Sequence, residues 1–249
     1  MASERGSALV TGASRGLGAA IARRLGAEGW SVAVNYRADS VGADGVVADI
    51  AAAGGTAAAC QGDVTDEQSV GSLVAEVEAR LGPVEVLVVN ATGPQPPIAI
   101  ENLSWQDHLD QLKFFVKSPT LLVRAVLPGM RSGGRGRVIQ IGSDAFERAL
   151  PGNSAYNAAK GAQIGLTRTW ARELGTYGIT VNVVAPGWIP VERHEEVASD
   201  AREAYAAEVP LGRMGTPEDL ADVVAFVASD AARFITGERI TVNGGHTID

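Results

Sequence analysis

The sequence predicts an α/β fold in which one domain holds a doubly wound parallel sheet of about seven strands. Short apolar runs rich in Val and Ile alternate with segments of helical periodicity along all 249 residues. The apolar runs lack polar alternation, which indicates strands that are buried on both faces. Repeated strand–helix units of this kind form right-handed crossovers in a covered parallel sheet, and their regular spacing leaves no room for a second domain.

Each predicted strand is an apolar run of four to seven residues, such as SALVT or VEVLVV, and each is followed by a longer helical segment. We predict strands at 7–11, 31–35, 56–60, 84–89, 136–141, 178–184 and 238–242. We predict helices near 16–28, 41–53, 66–80, 103–130, 154–175 and 217–229, with a break or kink at Pro119. The segment 185–216 has no predicted strand. A stretch that long usually has a function in a compact domain, so we predict a lid over a site near 188–209.

The composition excludes several classes of function. The net charge of −8 argues against nucleic acid or an anionic membrane as the main partner. No apolar run approaches the ~18 residues of a membrane span, and the first residues lack an apolar signal core. Cys60 is the single cysteine and is interpreted as a packed strand residue, so a reducing cytoplasm is the expected location. The three histidines lie far apart, and we predict no metal site.

A glycine-rich turn, TGASRGLG at 11–18, follows the first predicted strand and begins the first helix. Glycines in such a turn permit a tight bend and close approach of the backbone to a pyrophosphate, and the helix N-terminus offers free N–H groups. The alternative is a plain strand–helix turn. At the first strand of an alternating chain we favour a dinucleotide site, with these binding residues: Gly12, Ser14, Arg15, Gly16, Leu17 and Gly18.

The end of the second strand selects the cofactor. An acidic residue there would bind the 2′-hydroxyl of an adenine ribose, but this chain has Asn35, Tyr36 and Arg37, with no carboxylate until Asp39. Arg37, with the arginine and serine of the glycine turn, can bind a 2′-phosphate through charged hydrogen bonds. We therefore predict NADP(H) rather than NAD(H). The alternative for Arg37 is a solvated surface charge.

Two further pairs follow predicted strands and fit a nucleotide cleft: Asp63 with Val64, and Asn90 with Ala91. Asp63 has an alternative role as a helix N-cap or its neighbour, with Thr65 and Gln68 forming a capping box.

The sequence is similar to the short-chain dehydrogenase/reductase family, and the resemblance covers essentially the whole chain. It rests on motifs in the family's order and spacing: TGASRGLG, NYR, DV, Asn90, Ser143, Tyr156-x-x-x-Lys160 and Pro186-Gly187. The tail from 210 to 245 resembles the branch that contains 3-oxoacyl-[acyl-carrier-protein] reductases. The resemblance implies a single Rossmann domain, usually a homotetramer, that moves a hydride between a nicotinamide and a carbonyl or alcohol.

The resemblance also implies the catalytic residues Ser143, Tyr156 and Lys160. Tyr156 would deliver a proton to the substrate oxygen while Ser143 holds and polarises the carbonyl. Lys160 lies one helical turn beyond Tyr156, where an ammonium favours the phenolate and where it could also bind the nicotinamide ribose. The alternative for the Tyr–Lys pair is an exposed helix face. Both residues are also predicted to bind the cofactor, and the family's chain passes the nicotinamide at three further positions: Pro186, Gly187 and Ile189.

The chain departs from the family at three places, one of which is Asn90-Ala91-Thr92-Gly93, where Asn-Asn-Ala-Gly is usual. Val191 stands where a Thr is common. More importantly, no Asn occurs between Asn102 and Asn153, although the family carries a helix Asn that supports a water and proton path behind the lysine. Two registers place that position at Leu112 or Phe115. We considered three outcomes: a polar group from Lys117 or Lys113, replacement by water and backbone carbonyls, or a binding protein with little turnover.

Phe114 and Phe115 are assigned to the core or an interface. The substrate walls are predicted at 93–97, 144–150 and the lid. We predict an NADPH-dependent carbonyl reductase acting on a 3-oxoacyl-type ketone or another small-molecule or acyl-thioester carbonyl. The alternatives are a weakly active dinucleotide-binding sensor or scaffold, and an NAD(P)-dependent alcohol or sugar dehydrogenase.

Overall fold

The computed structural model describes residues 6–192 and 198–248, and its centre is a sheet of seven parallel strands. The order across the sheet is β3-β2-β1-β4-β5-β6-β7. The chain builds outward from β1 through β2 and β3, then crosses back to place β4 on the other side of β1. This confirms the predicted doubly wound parallel sheet in a single domain.

The strands agree with the predicted ones to within two residues at their ends. They are β1 (Ser7–Val10), β2 (Ser31–Tyr36), β3 (Thr56–Gln61), β4 (Val84–Val89), β5 (Gly136–Ile141), β6 (Ile179–Pro186) and β7 (Arg239–Val242). The helices are α1 (Gly16–Ala27), α2 (Ser40–Ala52), α3 (Glu67–Leu81), α4 (Trp105–Leu112), α5 (Ser118–Gly133), α6 (Ala145–Arg148), α7 (Ser154–Leu174), α8 (Ser199–Glu208) and α9 (Pro217–Ala228).

The core lies in two layers, one on each face of the sheet. Successive strand residues point to opposite faces, so Ala8 and Val10 of β1 join one layer and Leu9 joins the other. Helices α1, α2 and α9 cover the first layer, and α3, α5 and α7 cover the second. Burial on both faces explains why the five inner strands have little polar alternation, whereas the edge strands β3 and β7 are partly exposed.

The predicted helix near 103–130 is interrupted close to Pro119, where a break or kink was expected. Helix α4 begins with a capping box in which Ser104 and Asp107 bond to each other's backbone N–H groups. A π-helical turn, Lys113–Lys117, then separates α4 from α5, and Pro119 lies in the first turn of α5. Proline lacks the N–H that an α-helix would require there, which accounts for the interruption. The turn rotates the following residues relative to a continuous helix.

Within residues 6–192 and 198–248, no helix is long and apolar enough to cross a membrane. The same residues contain no cluster of three or more His, Cys, Asp or Glu side chains arranged to hold a metal ion.

Candidate active site

The glycine turn lies where the strand order reverses, at the carboxyl ends of the neighbouring strands β1 and β4. Ligands of doubly wound sheets bind in this crevice. Gly12 has a φ of +61°, a conformation that favours glycine. A Cβ atom on Gly18 would lie 2.3 Å from the Gly12 carbonyl oxygen and 2.6 Å from Nδ2 of Asn90. No side chain larger than hydrogen fits at position 18.

Two asparagines hold this turn from behind. The Asn35 side chain is buried; its Oδ1 accepts from the N–H of Gly12 at 3.2 Å, and its Nδ2 donates to the carbonyl of Gly62. Asn90 donates through Nδ2 to the carbonyls of Thr11 and Gly12, at 3.0 and 3.1 Å. Both predicted cofactor residues therefore border the cleft, but their amides bond to the backbone that shapes it.

A cleft of about 700 Å³ extends from the glycine turn to the end of β2. Its volume falls in the range of small-molecule sites. All predicted cofactor residues from the first half of the chain line it: Gly12, Ser14, Arg15, Gly16, Leu17, Gly18, Asn35, Tyr36, Arg37, Asp63, Val64, Asn90 and Ala91. Arg37 is exposed at its edge. The structure thus brings together residues that lie up to 79 positions apart in the chain.

Asp63 does not cap a helix, and the alternative of a capping box at Thr65 and Gln68 is wrong. The N-cap of α3 is Asp66, which accepts from the N–H of Ser69 at 2.8 Å. Asp63 accepts from Oγ1 and N–H of Thr65 at 2.6 and 2.8 Å. These hydrogen bonds, with the charges of Arg37 and Lys113, lower the pKa of the Asp63 carboxyl.

A second cavity of about 220 Å³ lies beside the first and shares Leu17, Asn90 and Thr92 with it. It contains the side chains predicted to be catalytic, Ser143, Tyr156 and Lys160, together with the predicted cofactor residues Pro186, Gly187 and Ile189. Strand β5 ends just before Ser143, and α7 carries Tyr156 and Lys160. The strand end and the helix therefore place the three side chains around one space.

The Lys160 ammonium is buried and bonded. Its Nζ donates to the carbonyl oxygen of Ile141 at 2.8 Å and lies 3.3 Å from Oε1 of Gln163. Nζ is also 5.5 Å from the centroid of the Tyr156 ring. The side chain is only 4% exposed, so the alternative of a solvated surface charge for Lys160 is wrong.

Ser143 follows β5, and its hydroxyl forms a hydrogen bond with a nearby backbone N–H. Its Oγ accepts from the N–H of Ala145 at 3.1 Å, at the start of α6. An oxygen that accepts in this way can still donate its own proton to an oxygen in the cavity. The neighbouring Asp144 donates its N–H to the carbonyl of Pro186 at 2.9 Å, which joins the ends of β5 and β6.

Phe115 lies behind the lysine, in one of the two registers that the sequence allowed for the missing Asn. Its ring centroid is 3.9 Å from Nζ of Lys160 and 5.5 Å from the Tyr156 ring, which it meets edge to face. Lys113 and Lys117 are exposed; Lys113 lines only a third cavity, and Lys117 lines none of the three. The expectation that one of them supplies a polar group there is wrong, because the π turn directs Phe115 inward. The carbonyl of Ile141 agrees with the second outcome, in which backbone replaces the Asn.

Phe114 does not belong to the core. It lines the 700 Å³ cleft and a third cavity of about 320 Å³ that also borders Tyr156. The expected core position is therefore wrong for Phe114, because adjacent residues point in different directions at the π turn, and the interface alternative stays a prediction.

The segment 188–209, predicted as a lid, borders the cavity of Tyr156 at Trp188 and Ile189. Residues 193–197 lie outside the described residues. Trp188, before the gap, donates its N–H to the hydroxyl oxygen of Tyr205 in α8 at 2.8 Å, and their rings meet edge to face. Burial raises the pKa of Tyr205. Two described parts of the segment thus contact each other beside this cavity, and the lid itself stays a prediction.

Sequence reasoning missed several long-range contacts around the site. Arg239 of β7 forms an ion pair with Glu147 and also donates to the carbonyl of Ser143 at 3.4 Å. His246 lies between carboxylates, 3.6 Å from Asp144 and 3.2 Å from Glu208. No local pattern signals these contacts, since the partners are 38 to 102 residues apart.

Glu192 was also missed. The N–H of Gly16 donates to its Oε1 at 3.3 Å, so a carboxylate meets the N-terminus of α1, where a phosphate would bind. Val191, at the position where a Thr is common, lies beside it in the same cleft.

Comparisons with known proteins match nearly the whole chain. A family model described as enoyl-(acyl carrier protein) reductase matches residues 12–247. A 3-oxoacyl-[acyl-carrier-protein] reductase of Staphylococcus aureus is 39% identical over 241 residues, which cover 96% of this chain and 97% of the relative.

Two solved structures are similar along their full lengths. A short-chain dehydrogenase/reductase double mutant of Serratia marcescens superposes with a TM-score of 0.91 at 33% identity and covers 100% of both chains. A blue fluorescent protein from a metagenomic library, solved in complex with NADPH, superposes with a TM-score of 0.89 at 36% identity, also over 100% of both chains.

Proposed function

Because the chain belongs to the short-chain dehydrogenase/reductase family, we propose that it is an NADPH-dependent carbonyl reductase that acts on a ketone of the 3-oxoacyl type. One observation carries the proposal: Ser143, Tyr156 and Lys160 border a single cavity that opens beside the glycine-turn cleft. This geometry is what a reaction between a nicotinamide and a carbonyl requires.

The residues of the cleft fit a dinucleotide. Gly18 lets the first turn of α1 pack against the Gly12 carbonyl and Asn90, which keeps the turn tight. The N–H of Gly16 at the start of α1 donates to an anionic oxygen of Glu192, whose place a phosphate would take. Arg37 at the end of β2 would bind the 2′-phosphate, which favours NADP(H). The NADPH complex of the metagenomic relative supports this choice. Bound NADPH would supply the hydride.

The chain's own residues would supply the proton and hold the substrate. The hydroxyl of Ser143 would donate to the carbonyl oxygen and polarise it. Tyr156 would transfer its phenolic proton to the same oxygen as negative charge develops there. The buried ammonium of Lys160, held by the Ile141 carbonyl, stabilises the phenolate that remains. The hydrogen bonds of Lys160 would hold that charge beside Tyr156.

The cavities support an acyl substrate. The third cavity adjoins Tyr156, and part of its lining is apolar: Pro94, Pro96, Ile98, Leu103 and Phe114. The rest includes charged side chains, from Arg37, Asp107, Asp110 and Lys113. A carbonyl held between Ser143 and Tyr156 could extend an aliphatic chain into this space. The Staphylococcus aureus relative is by name a 3-oxoacyl reductase, which favours the same substrate class. Trp188 and the described parts of 188–209 would act as the lid.

The test is NADPH oxidation followed at 340 nm with a panel of 3-oxoacyl thioesters and small ketones. The proposal expects turnover with NADPH, slower turnover with NADH, and the fastest rates with 3-oxoacyl compounds. Binding of NADPH without turnover of any carbonyl would refute it and leave a dinucleotide-binding protein. We further propose a homotetramer in the cytoplasm, which gel filtration and cell fractionation would test.

A further inference from the structure

We propose that Phe115 is a positioning residue that holds the Lys160 ammonium in its charged form against Tyr156. The inference rests on the proposed function, because it assigns Phe115 to the Tyr156–Lys160 pair. Phe115 contacts both members of this pair. The face of its ring meets a cation, and the ring also meets the Tyr156 ring edge to face.

The first contact has the geometry of a cation–π interaction. Nζ of Lys160 lies 3.9 Å from the centroid of the Phe115 ring, well inside the ~6 Å within which such pairs attract. Both side chains are buried, at 5% and 4% exposure. A desolvated ring and cation attract more strongly than an exposed pair. The ring therefore favours the ammonium over the neutral amine.

The second contact fixes the relative positions of the two functional side chains. The Phe115 and Tyr156 rings are 5.5 Å apart with an interplanar angle of 81°, an arrangement that aromatic pairs prefer. Phe115 thus touches both Tyr156 and Lys160 from the π turn, an element that carries neither. It lies against the ammonium together with the Ile141 carbonyl and the Gln163 side chain, which accept hydrogen bonds from it.

Other titratable or charged groups near this ammonium have their own partners. Asp144 and Arg148 line the same cavity as Lys160. Asp144 is buried against Nδ2 of Asn243 at 3.3 Å and His246, and the Arg148 guanidinium lies over the Tyr205 ring. Lys113 and Lys117, at the two ends of the π turn, are exposed. Tyr156 is the titratable group that shares Phe115 with Lys160.

The experiment uses the full chain labelled with ¹³C at the lysine ε carbon. The chain has three lysines, so the spectrum is simple, and Lys160→Met identifies the Lys160 signal. The ring of Phe115 is expected to shift this signal upfield in the native protein. In Phe115→Leu the signal should lose that shift, and the pH at which it titrates should fall by about half to one unit.

A second readout is the pH profile of NADPH oxidation. Loss of the ring should move the alkaline fall in kcat/KM to lower pH by a similar amount, because the charged lysine is lost sooner. Phe115→Tyr retains the ring face and should behave like the native protein. Phe115→Met serves if the Leu variant does not fold. Phe234→Leu, a substitution at a fully exposed phenylalanine, is the matched control and should change neither readout.

An unchanged Lys160 signal in Phe115→Leu or Phe115→Met would overturn the inference, as would a changed signal with an unchanged pH profile. Failure of the proposed function gives a different result, since the native protein would then bind NADPH and reduce no carbonyl. In that case the ¹³C titration still reports whether the ring stabilises the ammonium, but the assignment of Phe115 to catalysis falls.

Discussion

The ammonium of Lys160 donates to the main-chain carbonyl of Ile141 at 2.8 Å, and this bond ties α7 to the end of β5. Tyr156 lies on the helix and Ser143 follows the strand, so one buried hydrogen bond fixes the distance between the elements that carry both hydroxyls. A displaced Lys160 side chain would loosen the attachment of α7 to β5. It would also take its positive charge away from the neighbouring Tyr156 phenol.

Lys160→Met should therefore lower kcat for ketone reduction by about 100-fold or more, in the range of a lost electrostatic partner in an active site. The KM for NADPH should change less than kcat, because the residues of the glycine-turn cleft are unchanged. Steady-state NADPH oxidation measures both constants. Lys117→Met, at an exposed lysine of the neighbouring π turn, is the control and should retain native rates. Near-native turnover by Lys160→Met would contradict the assigned role.

Gly18→Ala should abolish NADPH binding and lower stability by about 1–3 kcal/mol. The added Cβ would lie 2.3 Å from the Gly12 carbonyl oxygen, so the turn must move. Gly71→Ala is the matched control, because position 71 is exposed in α3 with open space around it. There the same substitution should stabilise the protein by up to about 1 kcal/mol through helix propensity. Thermal unfolding and fluorescence titration with NADPH compare the two variants. Equal effects would contradict the tight contact between Gly18 and the Gly12 carbonyl.

Arg37→Ala should weaken NADPH binding by about 10- to 150-fold, the value of one hydrogen-bonded charge, and should leave NADH binding nearly unchanged. The 2′-phosphate distinguishes the two cofactors, and Arg37 lies exposed at the edge of the cleft. Arg233→Ala provides a control at a remote exposed arginine that bonds to the carbonyl of Asp230. Titration of each variant with both cofactors is the measurement. An equal loss for NADPH and NADH would remove the basis for NADP preference.

The thiol of Cys60 should resist labelling in the folded protein at pH 8. Burial, with a smaller contribution from Glu76, raises the pKa of Cys60 to about 11, so the reactive thiolate is scarce. In the unfolded chain the thiol titrates near its ordinary value, so this group favours the folded state at neutral pH. That contribution should decline as the pH rises from about 9 to about 11.

Two measurements check the Cys60 prediction. A chromogenic thiol reagent should react slowly with the native protein and rapidly in denaturant. Stability between pH 9 and 11 should fall less in Cys60→Ala than in the native protein, since the variant lacks the group that titrates. Fast labelling of the native protein would show that Cys60 is not the packed strand residue that the structure describes.

Much of this fold follows from local sequence patterns. The seven strands were predictable because most are short, largely apolar segments between helical ones, and burial on both faces removes most polar positions from the inner strands. The glycine turn was predictable for the same local reason, since Gly12, Gly16 and Gly18 follow the first strand directly. Tyr156 and Lys160 share one helix face, and their spacing alone places them together.

The rest depends on geometry that local patterns do not carry. The π turn at Lys113–Lys117 changes which residue points inward, and a regular helical period cannot reveal such a turn. Sequence spacing therefore allows either Leu112 or Phe115 behind Lys160, and the π turn decides between them. The bond between Arg239 and Ser143 joins residues 96 positions apart, and only the register of the sheet brings them together.

The central claim is proton delivery by Tyr156 within a bound NADPH complex, and Tyr156→Phe tests it most directly. The measurement is the rate of NADPH oxidation at 340 nm with a 3-oxoacyl thioester, alongside NADPH affinity for the native protein and the variant. We predict that the variant binds NADPH within a few-fold of native and that kcat falls by about 100-fold or more. Turnover by Tyr156→Phe at the native rate, with the same substrate, would contradict the account.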